Sequence, residues 1–122
     1  MIVYTGQIGR IQQPYLDITV KSGQGLGKLL APTWEMVMGI KKETLDQASY
    51  KAMYIDLLRQ RYSQDRSGFI RILTPENIDV LRLGCYCKPH TYCHRYLAVE
   101  VLEKIARAHG IPFEYGGEVP GR

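Results

Sequence analysis

The sequence predicts a small three-layer α/β domain, Rossmann-like, with a mostly parallel sheet of about four strands. Three observations lead there. Hydrophobic patterns follow the order strand, strand, helix, helix, short helix, strand, helix, strand. The segment Asp79 to Cys87 is apolar almost throughout, as expected of a strand buried on both faces of a parallel sheet. The 122 residues suffice for one core but not two, so 1–122 is read as a single domain.

Each element has its own warrant. Ile2-Val3-Tyr4 reads as a short strand ended by Thr5-Gly6. Tyr15 to Val20 alternates apolar and polar residues with β-branched side chains, a strand signal. Lys21 to Lys28 carries glycines at 23, 25 and 27 and is expected to be a flexible loop. Its spacing matches neither the dinucleotide fingerprint nor the P-loop, so it is not read as a phosphate cradle. Pro32 suits the first turn of a helix running through Trp34 to Lys42, with Trp34 as a core anchor.

Tyr50, Met53, Tyr54, Leu57 and Leu58 form one apolar stripe of a second helix, capped by Thr44 or Asp46. Arg59, Arg61 and Arg66 crowd its end and read as a solvated, dipole-compatible terminus. Ser67-Gly68 breaks the pattern, Phe69 to Leu73 makes a short helical piece, and Thr74-Pro75-Glu76-Asn77 a turn. After the apolar strand, Leu97, Val101, Ile105 and Ala108 set the period of a helix from about Cys93 to Ala108, with Gly110 as its stop. His109 near that terminus is read as structural. Phe113-Glu114-Tyr115 adds a last strand. Crossovers between parallel strands are expected to be right-handed.

The chemistry gathers in one place. All three cysteines, Cys85, Cys87 and Cys93, fall in a segment that also holds Lys88, His90, His94 and Arg95. That segment joins a strand to a helix, where open α/β folds put their working groups. Cys93 opens the helix, beside unpaired backbone N–H groups and cations, and is expected to ionise more easily than a free thiol. The same features bind phosphate or carboxylate without sulfur chemistry. The catalytic candidates are Cys93, His94 and Cys87, with a histidine as base and Arg95 holding an anion. Lys88, His90, Asp17, Thr19, Lys21 and Ser22 are the further ligand-binding candidates, because strand ends of a parallel sheet share one rim. Cys85 is read as a buried structural thiol.

A phosphatase-type loop is excluded: where it would place its arginine relative to Cys87, this chain has Cys93. No cofactor is expected. The alternative is zinc on Cys85, Cys87, Cys93 and His90 or His94, although the Cys-x-Cys pair is tighter than common structural zinc spacings.

The formal charge of +4 permits an anionic partner, a small molecule or a nucleic acid. No apolar run has membrane-spanning length and Met1 to Gly6 shows no signal-peptide pattern, so a cytoplasmic protein with no membrane partner is expected. In the cytosol stable disulfides are rare.

Leu83-Gly84-Cys85-Tyr86-Cys87, followed by Cys93-His94-Arg95-Tyr96-Leu97-Ala98, resembles the uncharacterised domain family numbered 488. Leu16 to Ser22, Ala31-Pro32-Thr33-Trp34 and the helix from Tyr50 to Arg61 are similar to a branch of that family found in bacteria and phages. The resemblance implies a compact α/β fold and a site using Cys93, His94 and Arg95, with Cys85 or Cys87 behind it. The wider family often carries Asp-Val-Arg on its second strand. Here Asp17-Ile18-Thr19 stands, so no arginine role is carried over.

The function expected is binding of a phosphorylated or otherwise anionic ligand, a nucleotide or nucleic-acid end, at the Cys93-His94-Arg95 junction, with thiolate chemistry as its enzymatic version. The alternatives are a non-catalytic, phage-encoded protein-interaction factor and a Cys/His zinc module.

Overall fold

The computed structural model describes residues 1–75, 79–87 and 93–119. Four parallel strands form one sheet in the order β2-β3-β1-β4. β1 is Ile2–Gln7, β2 Leu16–Asp17, β3 Val80–Cys85 and β4 Glu114–Glu118. Between β2 and β3 lie a 3-10 helix, Gly25–Leu30, and helices α1 (Trp34–Lys41), α2 (Gln47–Gln64) and α3 (Arg66–Leu73). Helix α4, His94–Ala108, joins β3 to β4. The α/β class and the element order are as the patterns predict.

Topology decides which face each connection covers. The crossovers from β2 to β3 and from β3 to β4 run the same way across the sheet, so the right-handed rule puts their helices on one face. Val3, Leu83 and Cys85 form a single core there with Tyr54, Phe69 and Leu102 of the helices. The step from β1 to β2 runs the other way and places loop 8–15 on the opposite face. Ile8 and Tyr15 lie over Gly84, and Ile11 lies over Gly6. The third layer is thus a loop rather than a helix.

Several boundaries differ from the patterns, each for a local reason. β1 continues through Thr5-Gly6 because Gly6 pairs with Gly84, and a Cβ on Gly6 would come within 3.0 Å of Ile11. β2 stops at Asp17 because its carboxylate accepts the Thr19 N–H at 2.9 Å and turns the chain. The glycine-rich stretch is a packed 3-10 helix rather than a flexible loop. A side chain on Gly23 or Gly27 would run into the Asp17 carbonyl.

Helix α1 starts at Trp34, two residues after Pro32, with Thr33 as its cap accepting the Met36 N–H at 3.2 Å. Met36 is its buried anchor and Trp34 is 53% exposed, which corrects the core reading of the tryptophan. Asp46 caps α2 through the Ser49 N–H at 2.7 Å. Asp65 caps α3 through the Gly68 N–H at 3.0 Å, so Ser67-Gly68 opens a helix instead of breaking one.

Arg61 is less solvated than expected. Its Nη1 donates to the carbonyls of Lys28, Leu29 and Ala31 at 3.0, 3.1 and 2.6 Å, satisfying the end of the 3-10 helix. His109 Nε2 meets the Tyr62 hydroxyl at 2.6 Å, in keeping with a structural role. β3 ends at Cys85, two residues early. β4 runs on through Gly116 and Gly117, past the expected end at Tyr115: Gly116 lies beneath the Tyr4 ring and Gly117 takes φ +108° at a bulge in the pairing with β1. The end of the Thr74-to-Asn77 turn lies outside the described residues. Among the described residues no helix is long and apolar enough to cross a membrane.

Candidate functional site

All four strands end at one rim because all are parallel. Gln7, Asp17, Cys85 and Glu118 are their last residues. Cys85 faces the helical core, in step with Leu83 two residues earlier. Beyond the strand end, Cys87 is exposed. Cys93 returns the chain in extended geometry as the N-cap of α4, and its side chain caps nothing. Its sulfur meets that of Cys85 at 2.8 Å, both buried.

Arg95, in the first turn of α4, is wholly buried behind this pair. Its Nη1 donates to Cys85 Sγ at 2.9 Å and to the Cys87 carbonyl at 2.9 Å, and lies 3.7 Å from Cys93 Sγ. Its other side is held by Glu118, through Nε at 3.2 Å and Nη2 at 2.6 Å. Glu118 also accepts from Thr5 Oγ1 at 2.7 Å, and Thr5 meets the Tyr115 hydroxyl at 2.6 Å. Burial works against the guanidinium charge, but Glu118 and Cys85 more than compensate and raise its pKa. Arg95 therefore faces sulfur and Glu118, not an outside anion.

Ionisation within the cluster runs opposite to expectation. Cys87 Sγ accepts hydrogen bonds from Cys85 and Cys93 and feels the charges of Arg95 and Lys41. Its pKa is pushed down to about 3. Cys93 is expected from its place in the sequence to ionise more easily than a free thiol. Instead its pKa is raised, because its proton is held in the bonds to Cys85 and Cys87 and its sulfur is buried. The negative charge is thus favoured on Cys87, the exposed sulfur of the three.

His94 is buried beside the same cluster. Its Nε2 donates to the Ile18 carbonyl at 2.7 Å, leaving Nδ1 as an acceptor 3.6 Å from Cys93 Sγ. Burial lowers its pKa and keeps the ring neutral at pH 7. Tyr54 packs edge-on against it.

Asp17, Thr19 and Ser22 form a second network. Asp17 accepts from Thr19 Oγ1 at 2.7 Å and from Ser22 Oγ at 2.5 Å, and Ser22 Oγ meets the Tyr86 hydroxyl at 2.8 Å. Burial opposes the Asp17 charge, but these bonds outweigh it and lower the pKa. Their product is a braced Tyr86, with Lys21 Nζ 5.8 Å from its ring centroid.

A pocket of about 460 Å³ opens over the sulfurs. Cys87, His94 and the exposed Trp34 and Tyr86 line it, and Lys21 and Lys41 bring positive charge. Of the residues singled out in the sequence, Thr19, Lys21, Cys85, Cys87, Cys93 and His94 line this pocket. Arg95, Asp17 and Ser22 do not line it. Lys88 and His90 lie outside the described residues. Sequence reasoning missed Lys41, Tyr86 and Glu118. Tyr86 had a signal, its position between two cysteines. Glu118 had none, in a glycine-rich tail far from the motif.

Among the described residues, Cys85, Cys93 and His94 bring their ligand atoms within 4.8 Å of one another. Tetrahedral zinc with bonds of ~2.3 Å would set its sulfurs roughly 3.8 Å apart. Cys85 and Cys93 are closer, at 2.8 Å, and the Arg95 guanidinium already occupies a bonding position on Cys85.

Fold and site define a class: a small parallel α/β domain with a thiol-centred pocket at the C-terminal rim of its sheet. The family model described as the active DUF488-N3 subclade matches residues 7–106, and the chain belongs to that DUF488 family. No curated protein and no solved structure matches it.

Proposed function

We propose that the protein binds an anionic ligand with a planar body, of the nucleotide or nucleic-acid-end class, where Cys93, His94 and Arg95 open α4, and that Cys87 faces this ligand as a thiolate. The carrying observation is the make-up of one cavity, lined by an exposed sulfur of lowered pKa, by exposed Trp34 and Tyr86, and by Lys21 and Lys41. Aromatic rings offer stacking to a flat heterocycle, and the two ammonium groups offer charge to its phosphate. The N-terminal end of the α4 dipole adds to the positive field. In this reading Arg95 acts from behind, holding the sulfur cluster anionic, rather than touching the ligand. The description of the matched subclade as active supports chemistry beyond binding.

A thermal-shift screen of nucleoside monophosphates and inorganic phosphate tests the binding. The expected result is a nucleotide-dependent rise in Tm that is lost in Lys41→Ala and in Trp34→Ala, both surface changes. No shift with any nucleotide, or equal shifts in wild type and both variants, contradicts it.

The grouping of Cys85, Cys93 and His94 favours a second reading, a zinc module completed by Cys87. Metal quantitation on the purified chain separates the two, since one zinc per chain supports the module and a folded, metal-free protein ends it.

A further inference from the structure

A single nucleophile needs one activated sulfur, yet three share this cluster. Only Cys87 is exposed, while Cys85 and Cys93 are buried with their sulfurs 2.8 Å apart. A reagent in the pocket therefore meets Cys87 first, and the neighbouring pair can exchange with it from behind.

We propose that Cys85 and Cys93 are a dithiol store loaded by Cys87: the protein takes two oxidising equivalents from a small disulfide bearing carboxylates and keeps them as a Cys85–Cys93 disulfide. This rests on Cys87 being the exposed sulfur that lines the pocket, as in the reading proposed above, and not on nucleotide binding.

The chemistry balances in three exchanges. Cys87 thiolate attacks one sulfur of R–S–S–R. A Cys87–S–S–R bond forms, the R–S–S–R bond breaks, and RS⁻ leaves. Cys93 then passes its proton to His94 Nδ1, 3.6 Å away, and attacks Cys87 Sγ, expelling the second RS⁻. The His94 proton goes on to one of the two leaving thiolates. Finally Cys85 attacks Cys93 Sγ, its own proton going to the remaining RS⁻, and Cys87 departs as the thiolate it was at the start. The sum is R–S–S–R plus two protein thiols giving two RSH and one protein disulfide.

Arg95 Nη1, 2.9 Å from Cys85 Sγ and 3.7 Å from Cys93 Sγ, stabilises each sulfur as it gains negative charge. Lys21 and Lys41 supply charge for the carboxylates of R at the pocket. The final exchange returns Cys87 for another use, which a two-cysteine arrangement would not.

The test uses the reduced full-length chain and oxidised glutathione as probe, with acid quenching, alkylation by iodoacetamide and peptide mapping. The expected product has Cys85 joined to Cys93 and Cys87 alkylated. Cys87→Ser should slow its formation by roughly tenfold or more, because the buried pair lacks a loading thiolate. The double variant Cys85→Ser/Cys93→Ser, which removes both thiols within reach of Cys87, should instead accumulate a glutathione adduct on Cys87. Equal rates in wild type and Cys87→Ser, or no adduct on Cys87 in the Cys85→Ser/Cys93→Ser double variant, overturn the relay. Nucleotide-dependent Tm shifts measured on the same preparation tell the failures apart. A retained shift with no Cys85–Cys93 bond sinks the relay alone, and a Cys87 that resists iodoacetamide sinks the thiolate reading beneath both.

Discussion

His94 shows how burial and one hydrogen bond assign a side chain its state. Its Nε2–H is committed to the Ile18 carbonyl and its pKa is lowered chiefly by desolvation. Below its ordinary pKa the unfolded chain takes up a proton that the folded chain refuses, so this residue's contribution to stability is present above about pH 6.5 and is lost as pH falls. Urea unfolding at pH 7 and pH 5 should show a loss that is smaller in His94→Gln, and an unchanged loss would mean the ring is protonated in the fold. The neighbouring residue carries the reverse lesson. Cys-His-Arg at a helix start reads in sequence as an outward-facing anion site, yet Arg95 is turned inward onto sulfur and Glu118. Sequence spacing shows which residues share a turn. It does not show which of them the core admits, because admission depends on a buried counter-charge that arrives from another strand.

At the scale of elements, the helices and the long strand were legible because each carries an amphipathic or apolar period and a cap. Asp46 and the Tyr50, Tyr54, Leu58 stripe behave as their spacing predicts. The glycine segment was misread because glycine serves two purposes, freedom and closeness, and composition does not distinguish them. At Gly27 closeness rules, since any Cβ collides with the Asp17 carbonyl. Gly27→Ala is therefore expected to cost about 1–3 kcal/mol by overpacking. Denaturant unfolding should give a lower midpoint at unchanged slope, and an unchanged midpoint would mean that the 3-10 helix is loosely held. Asp65 caps α3 across what looked like a helix break. Asp65→Ala should cost about 1 kcal/mol in the same measurement.

Across the whole molecule, the α/β class follows from element order, but the sheet order β2-β3-β1-β4 does not, since it depends on where each connection crosses. That order places β4 beside β1 and so brings Glu118 to Arg95. The ion pair ties the last strand to the first turn of α4, with both side chains almost fully buried. Removing one partner leaves the other charged and dry. Glu118→Leu should therefore destabilise by about 3–5 kcal/mol, and a loss below about 1 kcal/mol, the range of surface pairs, would show that water reaches Arg95. The consequence reaches the pocket: without Glu118 the guanidinium is no longer fixed behind Cys85, and the lowered Cys87 pKa should rise.

The central claim is that Cys87, the exposed sulfur of the cluster, is its thiolate. The most direct measurement is the rate of iodoacetamide alkylation at each cysteine, mapped by peptide, between pH 5 and 9. With its pKa pushed down to about 3, Cys87 should react first and at a nearly constant rate across that range. Cys85 and Cys93 should lag. A Cys87 rate that climbs about tenfold per pH unit toward 8.5, as for an ordinary thiol, or Cys93 reacting ahead of it, would contradict the account.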